Sequence, residues 1–474
     1  MKNIIYIMLL GFVVSSCGSD FLVEEPNLTQ ANEIVLTNFD GLNQATGGTY
    51  TYLDHTSWYG SAYTIIADLR ADNAKSSPIS SGRYQLDYNW NYNAANTAGF
   101  WSIGYYTIAK ANNVLNAISE SYDPSKEPTV TQDMVDHLQA EALFMRALAY
   151  FDLVRLYGQP YTAAPESLGV PRVLVTEIAE PARNTVSEIY QQIVADLTNS
   201  LDKFDAEFYT NHRSVTDPKA VATEDAARAL LARVYLYMGD YVNAAAYASQ
   251  IIAKSSDYSL YTVDNYTTVW GTDAASEVIF EVYGSTGNAN NPYWENIGNM
   301  YDPDGYGDVC ATNNLLALFE AGDVRANMFK TKAGYDSYRW PSKYPGKANL
   351  REDNIPIIRL SEMYLIRAEA SLKGVTTTGV TALDDYNMIR TNRGLDAATS
   401  VNMNDLFDER RRELCFEGHL VFDYARLGKA LDRDDEDNKI TGAEDIPFPS
   451  YRWALPIPIS EMEANENMVQ NPEY

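Results

Sequence analysis

Histidine and cysteine are scarce in this chain. It has four histidines, at 55, 137, 212 and 419, and three cysteines, at 17, 310 and 415, in 474 residues. That leaves little material for imidazole metal sites or acid–base relays. The cysteines are too few for a disulfide framework, and no Cys/His spacing suggests zinc. Positive charge is also short: 36 Lys+Arg stand against 64 Asp+Glu, a net of −28. A surface that acidic repels phosphate backbones and anionic headgroups, and no Lys/Arg cluster offsets it, so nucleic acid is excluded as a partner. Long apolar runs are missing after Val14, so nothing further along could cross a bilayer. No nucleophile elbow, P-loop, HExxH or Rossmann glycine pattern is present, and Gly47-Gly48 and Gly305-x-Gly307 are too short to cradle phosphate. Neither a cofactor nor a metal is expected.

What the chain has in excess is tyrosine, 35 copies, with seven tryptophans. A Tyr ring offers an apolar face and a polar tip, which suits wet, amphipathic ligands. Most of these rings are expected to pack between helices. At the N-terminus, Lys2 precedes an apolar run from Ile4 to Val14, the length of a signal-peptide core and too short to span. Val14-Ser15-Ser16-Cys17 then resembles a bacterial lipobox. Residues 1–16 are thus expected to be a signal peptide, with Cys17 as the lipid-bearing mature N-terminus; several acyl chains anchor stably where one would not. Cys415, between Leu414 and Phe416, is expected to be a buried thiol.

The rest reads as helix after helix, broken by polar, aromatic loops. Residues 100–118 carry apolar positions at helical spacing. Met134 to Tyr157 is a long helix stopped by Gly158 and Pro160, and Thr185 with Glu188 forms a capping-box pattern opening a helix to Leu201. In Ala226 to Lys254, the positions of Leu231, Ala232, Tyr235, Gly239, Tyr241, Ala244 and Ala248 match a tetratricopeptide-type helix–turn–helix. Ile358 to Gly374 with Ala382 to Gly394 repeats the scheme. Such units cannot bury their apolar faces alone, so the fold class is mainly α: a tetratricopeptide-like solenoid of about four pairs. Scaffold is expected over about 100–255 and 355–428. Loop-rich, partly β parts cover 23–99, 256–354 and 429–474, with Glu277 to Val282 reading as a strand.

Several of these stretches together resemble the SusD/RagB family of outer-membrane nutrient-binding lipoproteins. They are Cys17 with Phe21-Leu22, Ala140 to Tyr157 with Gly158 and Pro160, Ile355 to Ala370 (IPIIRLSEMYLIRAEA), Asn387 to Leu395 (NMIRTNRGL), Glu409 to Gly428 (ERRRELCFEGHLVFDYARLG), and Leu455-Pro456-Ile457-Pro458 through to Tyr474. They run in family order from 17 to 474, as one domain. The resemblance implies capture of an oligosaccharide or polysaccharide at the cell surface. It also implies delivery to a TonB-dependent, SusC-like transporter in the outer membrane. It implies no enzyme. The motifs themselves are expected to hold the scaffold, Glu409, Arg410, Arg412 and Glu413 as a charged helix face with intrahelical pairs. Arg359 and Arg367 are expected to tie helices through carboxylates such as Glu362 and Glu369.

Sugars are bound by stacking on rings and by hydrogen bonds from Asp, Asn, Arg and Gln, so ligand contacts are sought on the loops. Asp68 to Tyr92 offers Asp68, Asp72, Trp90 and Tyr92, and similar family members place ligand residues before the helix that begins near Phe100. Asn288 to Tyr306 offers Tyr293, Trp294 and Tyr306, and Tyr335 to Tyr344 offers Trp340. Residues 50–63, with Tyr52, His55, Trp58 and Tyr59, stand in reserve. Two other functions fit the composition: a glycan-degrading enzyme, whose carboxylate pair 64 acids would supply trivially, and a protein-binding helical scaffold.

Overall fold

The computed structural model describes residues 36–284, 294–346, 353–433, 440 and 442–474. Helices dominate it. The scaffold is α1 (Phe100–Glu120), α2 (Gln132–Tyr157), α3 (Val186–Leu201), α4 (Glu224–Met238), α5 (Tyr241–Ile252), α6 (Leu360–Leu372), α7 (Ala382–Asn392), α8 (Met403–Leu414) and α9 (Leu420–Arg426). Each of α1 to α6 packs on the next, so the chain stacks as a tetratricopeptide-like solenoid, with α8 also lying against α6. Among the described residues no helix is long and apolar enough to cross a membrane.

Local chemistry sets the boundaries. Thr185 caps α3 by accepting from the Glu188 N–H (3.1 Å), while the Glu188 carboxylate accepts from the Thr185 N–H (2.8 Å), as the capping box requires. Helix α4 ends at Gly239, whose φ of +74° is left-handed and suits glycine. Across that turn Tyr235 stacks on Tyr247, 5.8 Å between centroids at 7°, so the ring lies between the paired helices. Ile358 and Arg359, which the helical pattern places in a helix, instead close a strand, Ile355–Arg359, that pairs antiparallel with Val278–Val282. The β-branched run drives the strand, and the ladder brings the long loop region back onto the solenoid. Both Cys310 and Cys415 are buried free thiols.

The charged family motifs do not form a solvated face. Five cations (Arg325, Lys343, Arg359, Arg393, Arg412) and five carboxylates (Glu277, Asp323, Glu409, Glu413, Glu417) are buried together. Arg359 reaches Glu277 (2.5 Å) and Glu417 (2.7 Å), and Arg393 reaches Glu277 (2.6 Å) and Glu413 (2.7 Å). Arg325 reaches Glu409 (2.6 Å), and Lys343 reaches Glu417 (2.6 Å). Only Arg412 with Glu409 follows the intrahelical expectation. Glu362 pairs with Arg233, Arg367 with Asp385 and Glu369 with Arg426, so the partners of Arg359 and Arg367 differ from those expected. The reason is that the helix face bearing Glu409 and Glu413 is roofed by the segment carrying Arg325 and Lys343. Burial alone would raise the Glu413 pKa, but Arg393, Arg359 and Arg325 outweigh it and hold the carboxyl well below the usual range.

Candidate functional site

Three loops meet at one hollow of about 260 Å³, lined by Thr56, Ser57, Ser61, Ala62, Arg83, Tyr84, Glu295 and Met300. The first loop is fixed from below. Asp152, buried on α2, accepts from the Trp58 indole N–H (2.7 Å), the Tyr59 hydroxyl (2.7 Å) and the Tyr63 hydroxyl (2.8 Å), and pairs with Arg155. Trp58 and Tyr59, the reserve rings, are thus consumed in anchoring. Their turn carries Thr56, Ser57 and Ser61 to the surface of the hollow. Gly60 closes the turn: a Cβ there would lie 2.8 Å from the His55 carbonyl oxygen and closer still to that of Asp54. Its own carbonyl accepts the Ile297 N–H at 2.8 Å, joining this loop to the third. Gly60→Ala is therefore expected to cost about 2 kcal/mol by overpacking. The check is a lowered thermal midpoint accompanied by weaker ligand binding.

The second loop hangs from Asp308, which is fully buried and accepts from the Ser81 N–H (2.7 Å), the Ser81 hydroxyl (2.9 Å) and the Ser80 hydroxyl (3.1 Å). Arg83 follows, its guanidinium 3.4 Å from Asp308 and 3.9 Å above the Tyr306 ring. That stacking orients a planar donor fork beside the hollow. Tyr84 takes the left-handed region at φ +60°, a conformation that costs a non-glycine residue and turns the chain sharply there. In the third loop Asn296 caps Ile297–Tyr301 by accepting from the Asn299 N–H (3.0 Å). The Asn299 amide in turn donates to the Trp294 carbonyl (2.9 Å). Trp294, next to Glu295, is left 53% exposed. The hollow thus presents four hydroxyl-bearing side chains, one of them the Tyr84 phenol, with a guanidinium and a carboxylate.

The residues predicted as contacts divide sharply by burial. Trp90 is 3% exposed; its indole N–H donates to the Arg70 carbonyl (2.8 Å), the Arg70 guanidinium covers its face at 4.2 Å, and Trp453 meets its edge. Tyr92 is buried and donates to Asp87 (2.7 Å). Trp340 is fully buried and donates to the Gly307 carbonyl (2.9 Å). Asp68 is fully buried, accepting from the Asn73 amide (2.9 Å) and the Phe416 N–H (3.1 Å), and burial pushes its carboxyl up to about 7. Asp72 is buried against Arg411, and its carbonyl accepts from Arg411 (2.7 Å) and the Thr312 hydroxyl (2.9 Å). These five lie in the interior, none more than 6% exposed. Tyr306 is half-buried under Arg83, and Trp294 is exposed. Tyr293 and Cys17 lie outside the described residues. Thr56, Ser57, Ser61, Tyr84 and Glu295 do not stand out in the sequence: Ser and Thr in a loop carry no pattern, and one Tyr among 35 or one acid among 64 is not distinguished. The one available signal was that Glu295 directly follows Trp294.

Fold and hollow together define a tetratricopeptide-like helical-repeat protein that carries a loop-built recess. Residues 20–236 match a SusD-like family described as starch-binding and associating with the outer membrane, and residues 320–474 match the SusD family. A crystal structure of a SusD superfamily protein from Bacteroides thetaiotaomicron is 30% identical, with a TM-score of 0.82 over 92% of this chain and 100% of that one. Another, from Bacteroides vulgatus, is 30% identical, with a TM-score of 0.83 over 92% of this chain and 99% of that one. The starch-binding protein SusD of Bacteroides thetaiotaomicron is 25% identical over 424 residues, 71% of this chain and 72% of its own length. The chain belongs to the SusD family.

Proposed function

We propose that the protein is a cell-surface binding lipoprotein, which captures an oligosaccharide in the recess formed by residues 56–62, 83–84 and 295–300, with the exposed Trp294 directly preceding Glu295. The mature chain begins at Cys17 as one domain, with lipid on Cys17 holding it to the outer membrane. It passes its ligand to a TonB-dependent, SusC-like transporter beside it. The observation that carries this reading is the recess itself, on the fold of a family described as starch-binding and outer-membrane associated. Hydroxyls, a guanidinium and a carboxylate suit a polyol, and an exposed indole suits the apolar face of a pyranose. Trp294 and Tyr306 are the predicted contacts retained here, with Tyr293 beside them in sequence. The five buried ones act by positioning the loops.

Binding without turnover is the expected chemistry: among the described residues one carboxylate, Glu295, lines the recess, whereas glycoside hydrolysis calls for a pair. Calorimetric titration with a panel of oligosaccharides tests the reading. A saturable response to at least one member is expected, with no sugar released on long incubation. Trp294→Ala should weaken that response by about tenfold through loss of one stacking face. A flat response across the panel would favour a protein-binding scaffold, and released sugar an enzyme.

A further inference from the structure

A second recess, of about 250 Å³, lies on the scaffold itself, where the segment after α3 meets the start of α4 and the end of α5. One wall is aromatic. The His137 ring stacks on Phe208 at 4.0 Å and 9°, with Phe204 and Tyr209 against its edges at 5.7 and 5.0 Å. Phe204 and Tyr209 are half-buried and line the recess, so each keeps part of a ring open. The other wall is polar. Lys254 donates to Asp225 at 2.6 Å, and both line the recess beside Thr223 and Glu224. None of these residues belongs to the motifs that built the scaffold's ion network, and none touches the loop recess.

The two walls restrict what fits. The volume equals that of roughly eight waters, enough to seat one sugar ring, as the loop recess of similar size can seat one ring of a longer ligand. An adjacent ammonium and carboxylate offer a donor and an acceptor side by side, the pattern that chelates neighbouring hydroxyls. Lys254 and Asp225 bond each other, and Asp205 and Glu224 line the same wall, so an apolar occupant would strip water from one ammonium and three carboxylates, and an anion would face those carboxylates. A neutral ring with one apolar face and vicinal hydroxyls satisfies both walls. We propose that this recess is a second carbohydrate subsite, accepting a single pyranose. It rests on the reading that the protein binds carbohydrate, and it would give one lipid-held molecule two points of contact with a long or branched glycan. Two such contacts joined by one ligand raise affinity without any new interaction at either site.

Saturation-transfer NMR with methyl glucoside, methyl galactoside and methyl mannoside separates the two recesses in the full chain. Trp294→Ala removes the loop ring. Ala206→Trp, at an exposed lining position, fills the scaffold recess without deleting a contact, and Lys254→Ala removes the donor as a second probe. A signal for at least one glycoside should persist in Trp294→Ala. It should then fall about tenfold or more when either Ala206→Trp or Lys254→Ala is added. A signal lost completely in Trp294→Ala, or unchanged by both scaffold variants, overturns the second subsite and leaves the loop site standing. A signal unaffected by Trp294→Ala and lost in Ala206→Trp supports the second subsite and overturns the loop assignment. No signal for any glycoside in the wild-type chain, together with no calorimetric response to the oligosaccharides, overturns both.

Discussion

Glu413→Ala is expected to destabilise the protein by about 3–5 kcal/mol. Glu413 is fully buried and meets Arg393, Arg359 and Arg325. Removing it leaves three guanidiniums sharing the remaining carboxylates in a medium with no water to replace it. The same pairing sets the acid limit. The carboxyls of Glu409, Glu413 and Glu417 all have pKa values lowered in the fold, because burial, which alone would raise them, is outweighed by their cations. Their contribution is present above the unfolded value of about 4.3 and is lost as pH falls through the lower folded values. Asp68 and Glu281 act with the opposite sign. Burial raises them to about 7 and about 8, so each costs stability as pH climbs from its unfolded value toward its folded one. The thermal midpoint is therefore expected to peak on the acid side of neutrality and to collapse below about pH 4. A thermal-unfolding series across pH, run on the wild type and on Glu413→Ala, checks both statements. In the variant the midpoint at pH 6 should already be deeply lowered.

Asp152→Ala carries the second large effect, and it links stability to binding. The substitution strands the Trp58 N–H, two tyrosine hydroxyls and the Arg155 guanidinium in the core, at a cost of about 3–5 kcal/mol. Those rings are also what seats the turn bearing Thr56, Ser57 and Ser61. Binding should accordingly weaken even at temperatures where the variant is folded, although Asp152 is buried on α2 and does not line the recess. Urea midpoints and calorimetry on the same preparation read the two losses. Unchanged affinity in a destabilised variant would show that the Asp152 anchor does not shape the recess.

The sequence was most legible where local periodicity and packing agree. Helices α2, α3 and the α4–α5 pair follow from apolar spacing, a capping box and Gly239, all of which act within a few residues. Arg359 shows where that legibility ends. Its motif marks it as structural, yet its partners Glu277, Glu413 and Glu417 lie more than fifty residues away, and only the folded strand pair brings them together. Trp90 shows the same limit at the site. Flanked by asparagines in a helix-poor stretch, it has the sequence of an exposed platform. Its backbone turns into the left-handed region (φ +50°) and aims the ring at Arg70 and Trp453. Trp294 sits in a similar polar, aromatic stretch and stays exposed because the Asn296 and Asn299 turn holds it outward. The two tryptophans differ in what surrounds them in space, which a linear pattern does not encode.

The proposed division is between interior tryptophans and carboxylates that hold a frame and the recess at 56–62, 83–84 and 295–300 that takes the carbohydrate. Hydrogen-exchange mass spectrometry, with and without a bound oligosaccharide from the panel, tests it most directly. Ligand-induced protection is expected in peptides covering 54–62, 81–85 and 294–301, with the peptide covering 88–92 unchanged. Protection centred on 88–92, with the three recess segments unaffected, would contradict it.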